Sequence, residues 1–203
     1  MSRRNNPYAG DANTRAAKQQ GYPARSVFKL DEIDRRMGLL RAGQRVLDLG
    51  AAPGSWSMYA SQKVGPAGSV LAVDLQPIQQ EFLPNVRVVQ GDVRELGVEL
   101  GQGEAAFDVV LSDMAPSTTG SKVADQTGSF ELFMTALEIA VALAKPGSSF
   151  VAKLFMGPDF ESAKRAVTGA YAQTRTLRPR GTRQNSSEVF VVGLELKGAD
   201  SPR

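Results

Sequence analysis

The chain of 203 residues contains no cysteine and no histidine. Without cysteine there is no disulfide and no thiolate chemistry. Without histidine the commonest general base and metal ligand is missing too. Proton transfer must therefore use Lys, Asp, Glu or Tyr, and no metal site is expected. No apolar run is long enough to cross a bilayer. The first thirty residues lack the apolar core of a signal peptide. A cytoplasmic protein without membrane attachment is expected.

What is present is ordinary for a globular domain: 42% hydrophobic and 22% charged residues. The length suits one domain able to bury a full core. Net charge is only +3, but its distribution is uneven. Residues 1–25 hold Arg3, Arg4, Arg15, Lys18 and Arg25 against Asp11 alone. Residues 175–183 hold Arg175, Arg178, Arg180 and Arg183 with no acid. Two basic segments flanking one fold suggest a nucleic-acid patch, although solvated chain ends would read the same way. Arg3, Arg4, Arg15, Lys18, Arg25, Arg180 and Arg183 are the candidate contacts.

Residues 1–24 are polar and read as a basic, partly disordered segment. Residues 25–196 form the expected domain, and 197–203 read as a disordered tail. Ser26 is expected to cap a helix that carries Arg35 and Arg36 late and is followed by Gly38. Lys29 sits in its first turn, against the helix dipole. An exposed lysine tolerates that mismatch, but a functional one would explain it. Apolar, β-branched runs then appear at 45–49, 69–75, 86–90, 107–112, 149–154 and 188–196. Helical patterns fall at 55–64, 130–144 and 159–171. The first of the longer two carries Phe130, Phe133, Met134, Leu137 and Val141, and Pro146-Gly147 is expected to end it. Alternating strands and helices imply a mostly parallel, doubly wound α/β sheet.

The run Asp48-Leu49-Gly50-Ala51-Ala52-Pro53-Gly54-Ser55-Trp56 reads as a strand end, a small-residue turn and a helix start. Such turns present backbone N–H groups to nucleotide-like ligands. Gly50 and Gly54 leave the backbone open to approach. Asp74, about 20 residues on, is placed to accept from ribose hydroxyls. Asp92 is expected to end the third strand and is a candidate for an adenine amino group, and Trp56 is expected to pack near the ligand. Each acid alone is an ordinary turn or cap residue. Asp74, Asp92 and Asp113 in register after one glycine turn are stronger evidence. The turn does not match the dinucleotide pattern G-x-G-x-x-G, so S-adenosylmethionine is the expected cofactor.

Asp113 ends the fourth strand and Lys153 lies near the end of the fifth, inside Phe150–Phe155. A lysine in such an apolar run is costly unless paired or functional. Glu188 opens the last strand. If that strand runs antiparallel, Asp113, Lys153 and Glu188 meet at one sheet edge, within reach of Lys29. A lysine used as a base must shed its proton; burial and neighbouring cations favour this, and carboxylates oppose it.

These residues carry a resemblance. Ser26–Glu32, Asp48–Trp56, Ser112-Asp113-Met114-Ala115-Pro116, Lys153 and Ser187-Glu188-Val189 resemble, in order, the motifs of the FtsJ/RrmJ (RlmE-type) ribosomal RNA ribose 2′-O-methyltransferases. The likeness runs over roughly residues 15–196. It implies a Rossmann-like methyltransferase sheet of seven strands with the last antiparallel, helices on both faces, and a Lys-Asp-Lys-Glu tetrad at Lys29, Asp113, Lys153 and Glu188. Lys153 would be the base or hydroxyl-orienting group. The family's cofactor residues fall on Gly54, Trp56, Asp74, Asp92 and Asp113. Ser55 departs from the family, which often has a second glycine there. The implied reaction is methylation of an RNA ribose 2′-hydroxyl, most simply a uridine of 23S ribosomal RNA in the large subunit. Transfer RNA or messenger RNA caps are alternative substrates, and a non-catalytic RNA- or ribosome-binding protein is the alternative outside enzymes. An amino-group methyltransferase would want Asn/Asp-Pro-Pro-Tyr/Phe where Asp113-Met114-Ala115-Pro116 stands, and covalent base-carbon chemistry would need a cysteine. A monomer is expected, since no long apolar surface stripe is left over.

Overall fold

A computed structural model of the chain describes residues 12–97, 100, 106–117, 119–180, 182 and 186–198. The elements run α1 (Ala12–Gln19), α2 (Val27–Met37), β1 (Arg45–Leu49), α3 (Ser55–Val64), β2 (Ser69–Asp74), β3 (Val86–Gln90), α4 (Val93–Leu96), β4 (Phe107–Ser112), α5 (Lys122–Leu143), β5 (Ala144–Phe155), α6 (Phe160–Ala170), β6 (Tyr171–Leu177) and β7 (Glu188–Leu196). The strands form one seven-stranded sheet in the order β3-β2-β1-β4-β5-β7-β6. β1 to β5 pair in parallel, and β7 is antiparallel to both β5 and β6.

The central strands are apolar on both sides because both faces are covered. Leu47, Leu49, Leu71, Val73, Val110 and Phe150 pack with Phe133, Leu137 and Val167 of α5 and α6. Val46, Val70, Val109, Leu111, Val151 and Phe190 pack with Leu30, Ile33, Trp56 and Ala60 of α2 and α3. Sequence order leaves β1 towards β2 on one side and resumes at β4 on the other. That reversal opens a crevice at the carboxyl ends of the strands.

Several expectations are corrected. Residues 12–19 form a helix, not a loop, and its Ala17 is fully buried in the α2/α3 layer. Ser26 makes no side-chain cap, whereas Gly38 ends α2 in the left-handed conformation at φ 63°. Residues 171–177 form an additional strand: Tyr171, at the end of the helical spacing of 159–171, begins β6 and is fully buried. β6 is an edge strand with mostly exposed residues, so it carries little of the apolar pattern that marks a strand. α5 ends at Leu143, ahead of Pro146 as expected, since Pro146 disfavours helix at Lys145, but it begins at Lys122, eight residues before the expected start. Val141 is 48% exposed and not a core residue. Lys197, assigned to a loose tail, donates to the carbonyls of Thr168 and Gly169; residues 199–203 lie outside the described ones.

Candidate active site

The turn between β1 and α3 is fixed by backbone bonds. The N–H groups of Gly50 and Ala51 both donate to the Val73 carbonyl. Gly50 has φ 77°, and a Cβ there would lie 2.6 Å from Met114 Cγ. Gly54 has φ 109°, and a Cβ there would lie 2.8 Å from the Phe82 ring. Both positions are thus restricted to glycine by conformation and by space.

Beside the turn lies a cavity of about 920 Å³, lined from four strand ends: Gly50 and Ala52 after β1, Asp74 to Gln76 at β2, Gly91 and Asp92 after β3, and Asp113 to Ser117 after β4. This size suits a cofactor-sized ligand. Asp74 is oriented by accepting from Ala52 N–H at 2.8 Å and Gln76 N–H at 2.7 Å. A carboxylate has about four lone-pair sites, so capacity for two hydroxyls remains. Asp92 does not end β3; it caps α4, accepting from Arg94 N–H at 2.9 Å. The Arg94 guanidinium also donates to it and holds its carboxyl below the usual range.

Trp56 stands elsewhere. Its indole is buried on the opposite layer, 5.7 Å from the Phe190 ring, and donates to Ser26 O at 2.9 Å. Its side chain does not line the cavity. The reason is helical geometry: position 56 faces α2 and the sheet, while the turn faces the ligand space.

Lys153 and Glu188 project from the face covered by α2. Lys153 pairs in register with Phe190, and Glu188 with Phe155. Lys153 and Glu188 are therefore diagonal neighbours on one face of an antiparallel pair. Lys153 is 8% exposed, and its Nζ donates to Asp113 O at 2.6 Å and Asp113 Oδ1 at 3.0 Å. A buried ammonium without such partners would cost several kcal/mol. Lys29 reaches in from α2, 2.6 Å from Glu188 Oε1 and 5.8 Å from the Phe190 ring centre. The tetrad is thus two ion pairs side by side, and Asp113 belongs at once to the tetrad and to the cavity wall.

Asp48 is a further ionisable residue at the site, beyond those expected from sequence. It is fully buried beneath the turn, and Ser57 Oγ donates to its Oδ2 at 2.6 Å. Its Oδ1 has no partner among the described residues. Burial pushes its carboxyl up to about 7, against the lowering effect of Ser57, with the charges of Asp113 and Asp74 adding to the rise. An acid between Leu47 and Leu49 in a strand buried on both faces was the available signal.

Of the basic candidates, Arg15 and Lys18 are exposed on α1, and Arg25 is half-buried ahead of α2. The backbone N–H of Arg180 donates to Glu32 of α2 at 2.7 Å. Both basic segments therefore approach the helix that bears Lys29. Arg3, Arg4 and Arg183 lie outside the described residues. Among the described residues there is no cluster of acidic side chains able to hold a metal, and no helix long and apolar enough to cross a membrane.

The chain is similar to known proteins over nearly its whole length. The ribosomal RNA large subunit methyltransferase E of Sorangium cellulosum is 60% identical over 195 residues, 96% of this chain and 92% of that one. The protein of the same name from Oleidesulfovibrio alaskensis is 49% identical, covering 90% of this chain and 89% of its own. A crystal structure described as a ribosomal RNA methyltransferase from Plasmodium falciparum superposes with a TM-score of 0.74 at 22% identity, over 87% of this chain and all of that one; at that identity it speaks to the fold alone. The model of the FtsJ-like methyltransferases matches residues 22–196, and with that match over most of its length the chain belongs to the FtsJ-like methyltransferase family.

Proposed function

We propose that this protein methylates a ribose 2′-hydroxyl of large-subunit ribosomal RNA, using S-adenosylmethionine, in the cytoplasm. The observation that carries the reading is Lys153: a nearly buried ammonium oriented by Asp113, a residue that also walls the cavity. The large-subunit ribosomal RNA named for the relatives supports the choice of substrate.

The residues present fit the cofactor. Gly50, without a side chain, lines the cavity together with Asp74 and Asp92, and Asp74 retains acceptor capacity for a ribose. Once bound, that cofactor supplies a methyl group already activated on a positively charged sulfur. What the protein must add is alignment, which contributes about 7–11 kcal/mol in well-oriented reactions, and a place for the hydroxyl proton. Asp113 holds Lys153 at the boundary between cavity and tetrad. Lys153 orients the 2′-hydroxyl and, as the neutral amine left once its own proton has passed to solvent, takes the hydroxyl proton as the oxygen attacks. Lys29 and Glu188 position the ribose and balance charge. The basic residues beside α2 meet the phosphates, a sequence-independent attraction. The protein acts as a monomer.

Transfer of labelled methyl groups to large ribosomal subunits, naked ribosomal RNA and transfer RNA, followed by mapping of the nucleoside, tests this directly. A 2′-O-methylated uridine in large-subunit RNA is expected. Lys153→Ala should lower transfer at least about 100-fold while the cofactor dissociation constant, read by calorimetry, stays within a fewfold. Full activity in that variant would remove Lys153 from its role.

A further inference from the structure

Ser55 is 1% exposed, yet it is not a core residue in the usual sense. Its hydroxyl accepts from Ala24 N–H at 2.8 Å and donates to Ala24 O at 3.1 Å. One side chain so satisfies both backbone groups of a residue 31 positions away, at the point where the sequence departs from the family's second glycine. The contact is part of a grip. Next to it the Trp56 indole donates to Ser26 O. One face further along α3, Gln62 accepts from the Tyr22 hydroxyl at 2.8 Å. Between these anchors, Pro23 lines the cavity. Beyond them, Ser26 O also accepts from Lys29 N–H in the first turn of α2, and α1 with Arg15 and Lys18 lies on the other side.

Segment 22–26 therefore joins three things: the wall of the cofactor cavity, the helix that delivers Lys29 to Glu188, and the basic first helix. It has no strand or helix of its own to hold it. Its placement depends on side chains of α3 and on the Tyr22 N–H donating to Ala17 O of α1, and Ser55, 1% exposed, makes two of the side-chain bonds. We propose that Ser55 is a positioning residue for the RNA side of the reaction: through Ala24 it fixes Lys29 and the basic first helix relative to the cofactor turn. The proposal rests on the functional reading above.

The test compares wild type, Ser55→Ala and Trp56→Phe in methyl transfer to large ribosomal subunits with labelled S-adenosylmethionine. Calorimetry with the cofactor alone and amide hydrogen exchange run alongside. Ser55→Ala should lower kcat/KM for the RNA about tenfold, mainly through KM, with the cofactor dissociation constant within twofold. The Ala24 amide and those of the first turn of α2 should exchange at least tenfold faster, and amides of β1 and β4 should not change. Trp56→Phe keeps an aromatic ring beside Phe190 but loses the bond to Ser26 and part of the buried ring volume, and should give the same pattern more weakly. Unchanged KM, an equal loss of cofactor affinity, or unchanged exchange at Ala24 would overturn the proposal. Faster exchange throughout the sheet, with a lowered melting temperature and no rise in KM, would assign Ser55 a purely structural role. If the wild-type protein methylates no RNA, the functional reading fails, while exchange at Ala24 still reports on the tether.

Discussion

Asp48 and Lys153 are both ionisable groups placed among apolar neighbours, and the structure treats them differently. Lys153 is matched by two oxygens of Asp113. Asp48 has one hydroxyl partner and an oxygen with none. Its carboxyl rises to about 7 in the folded protein, against about 3.9 in an unfolded chain. The folded state thus holds the proton more tightly, so this group destabilises the fold as pH rises from about 4 to 7. Above 7 the whole cost is present, on the order of 4 kcal/mol. Asp48→Asn should therefore gain stability over wild type at pH 8 in urea unfolding, and most of that gain should vanish near pH 4. An equal difference at both pH values would show that Asp48 is not protonated in this range. Lys153 was legible in the sequence because a lysine inside Phe150–Phe155 is hard to explain otherwise. Asp48 was equally misplaced in its strand but sat inside a motif already explained by its glycines, which hid it.

The elements that build the site are β1 with its turn, the β5–β7 pair and α2. The turn depends on Gly50, where a positive φ and the closeness of Met114 act together. Gly50→Ala should lower stability by about 1–3 kcal/mol from strain and overpacking, read as a lower urea midpoint. It should also weaken cofactor binding, because Met114 lines the same cavity and must move. A variant with wild-type midpoint and affinity would refute the close packing. The central strands were readable because each is apolar, β-branched and short. β6 was not: as a mostly exposed edge strand with two Thr, a Gln and an Arg, it resembles a polar loop until β7 is there to pair with it. α1 was missed for a related reason. Only Ala17 of its eight residues is buried, too little apolar signal to separate a short helix from a polar arm.

Across the whole molecule, charge divides unevenly about the site. The basic residues of α1 and of the segment before β7 gather beside α2, and the acids Asp74, Asp92 and Asp113 gather at the cavity. RNA affinity should therefore fall steeply with salt. Reversing Arg3, Arg4, Arg15 and Lys18 together to glutamate should weaken binding to every RNA tested. The slope of log affinity against log salt should flatten by about two or more, since each phosphate contact contributes about 0.7–0.9. An unchanged slope, measured by filter binding at several salt concentrations, would exclude that arm from the interface. At this scale the division of labour between sequence and structure is plain. The α/β class, the glycine turn, the strand-end acids and the out-of-place lysine were set by local pattern: burial on both faces demands apolar strands, and a positive φ in a crowded turn demands glycine. The pairing of Lys29 with Glu188 and of Lys153 with Asp113, the retreat of Trp56 from the cavity and the hold of Ser55 on Ala24 were decided only by the tertiary fold. Each joins residues 30 or more positions apart. Such contacts depend on strand register and on which face of a helix meets the sheet, and no window along the chain contains either.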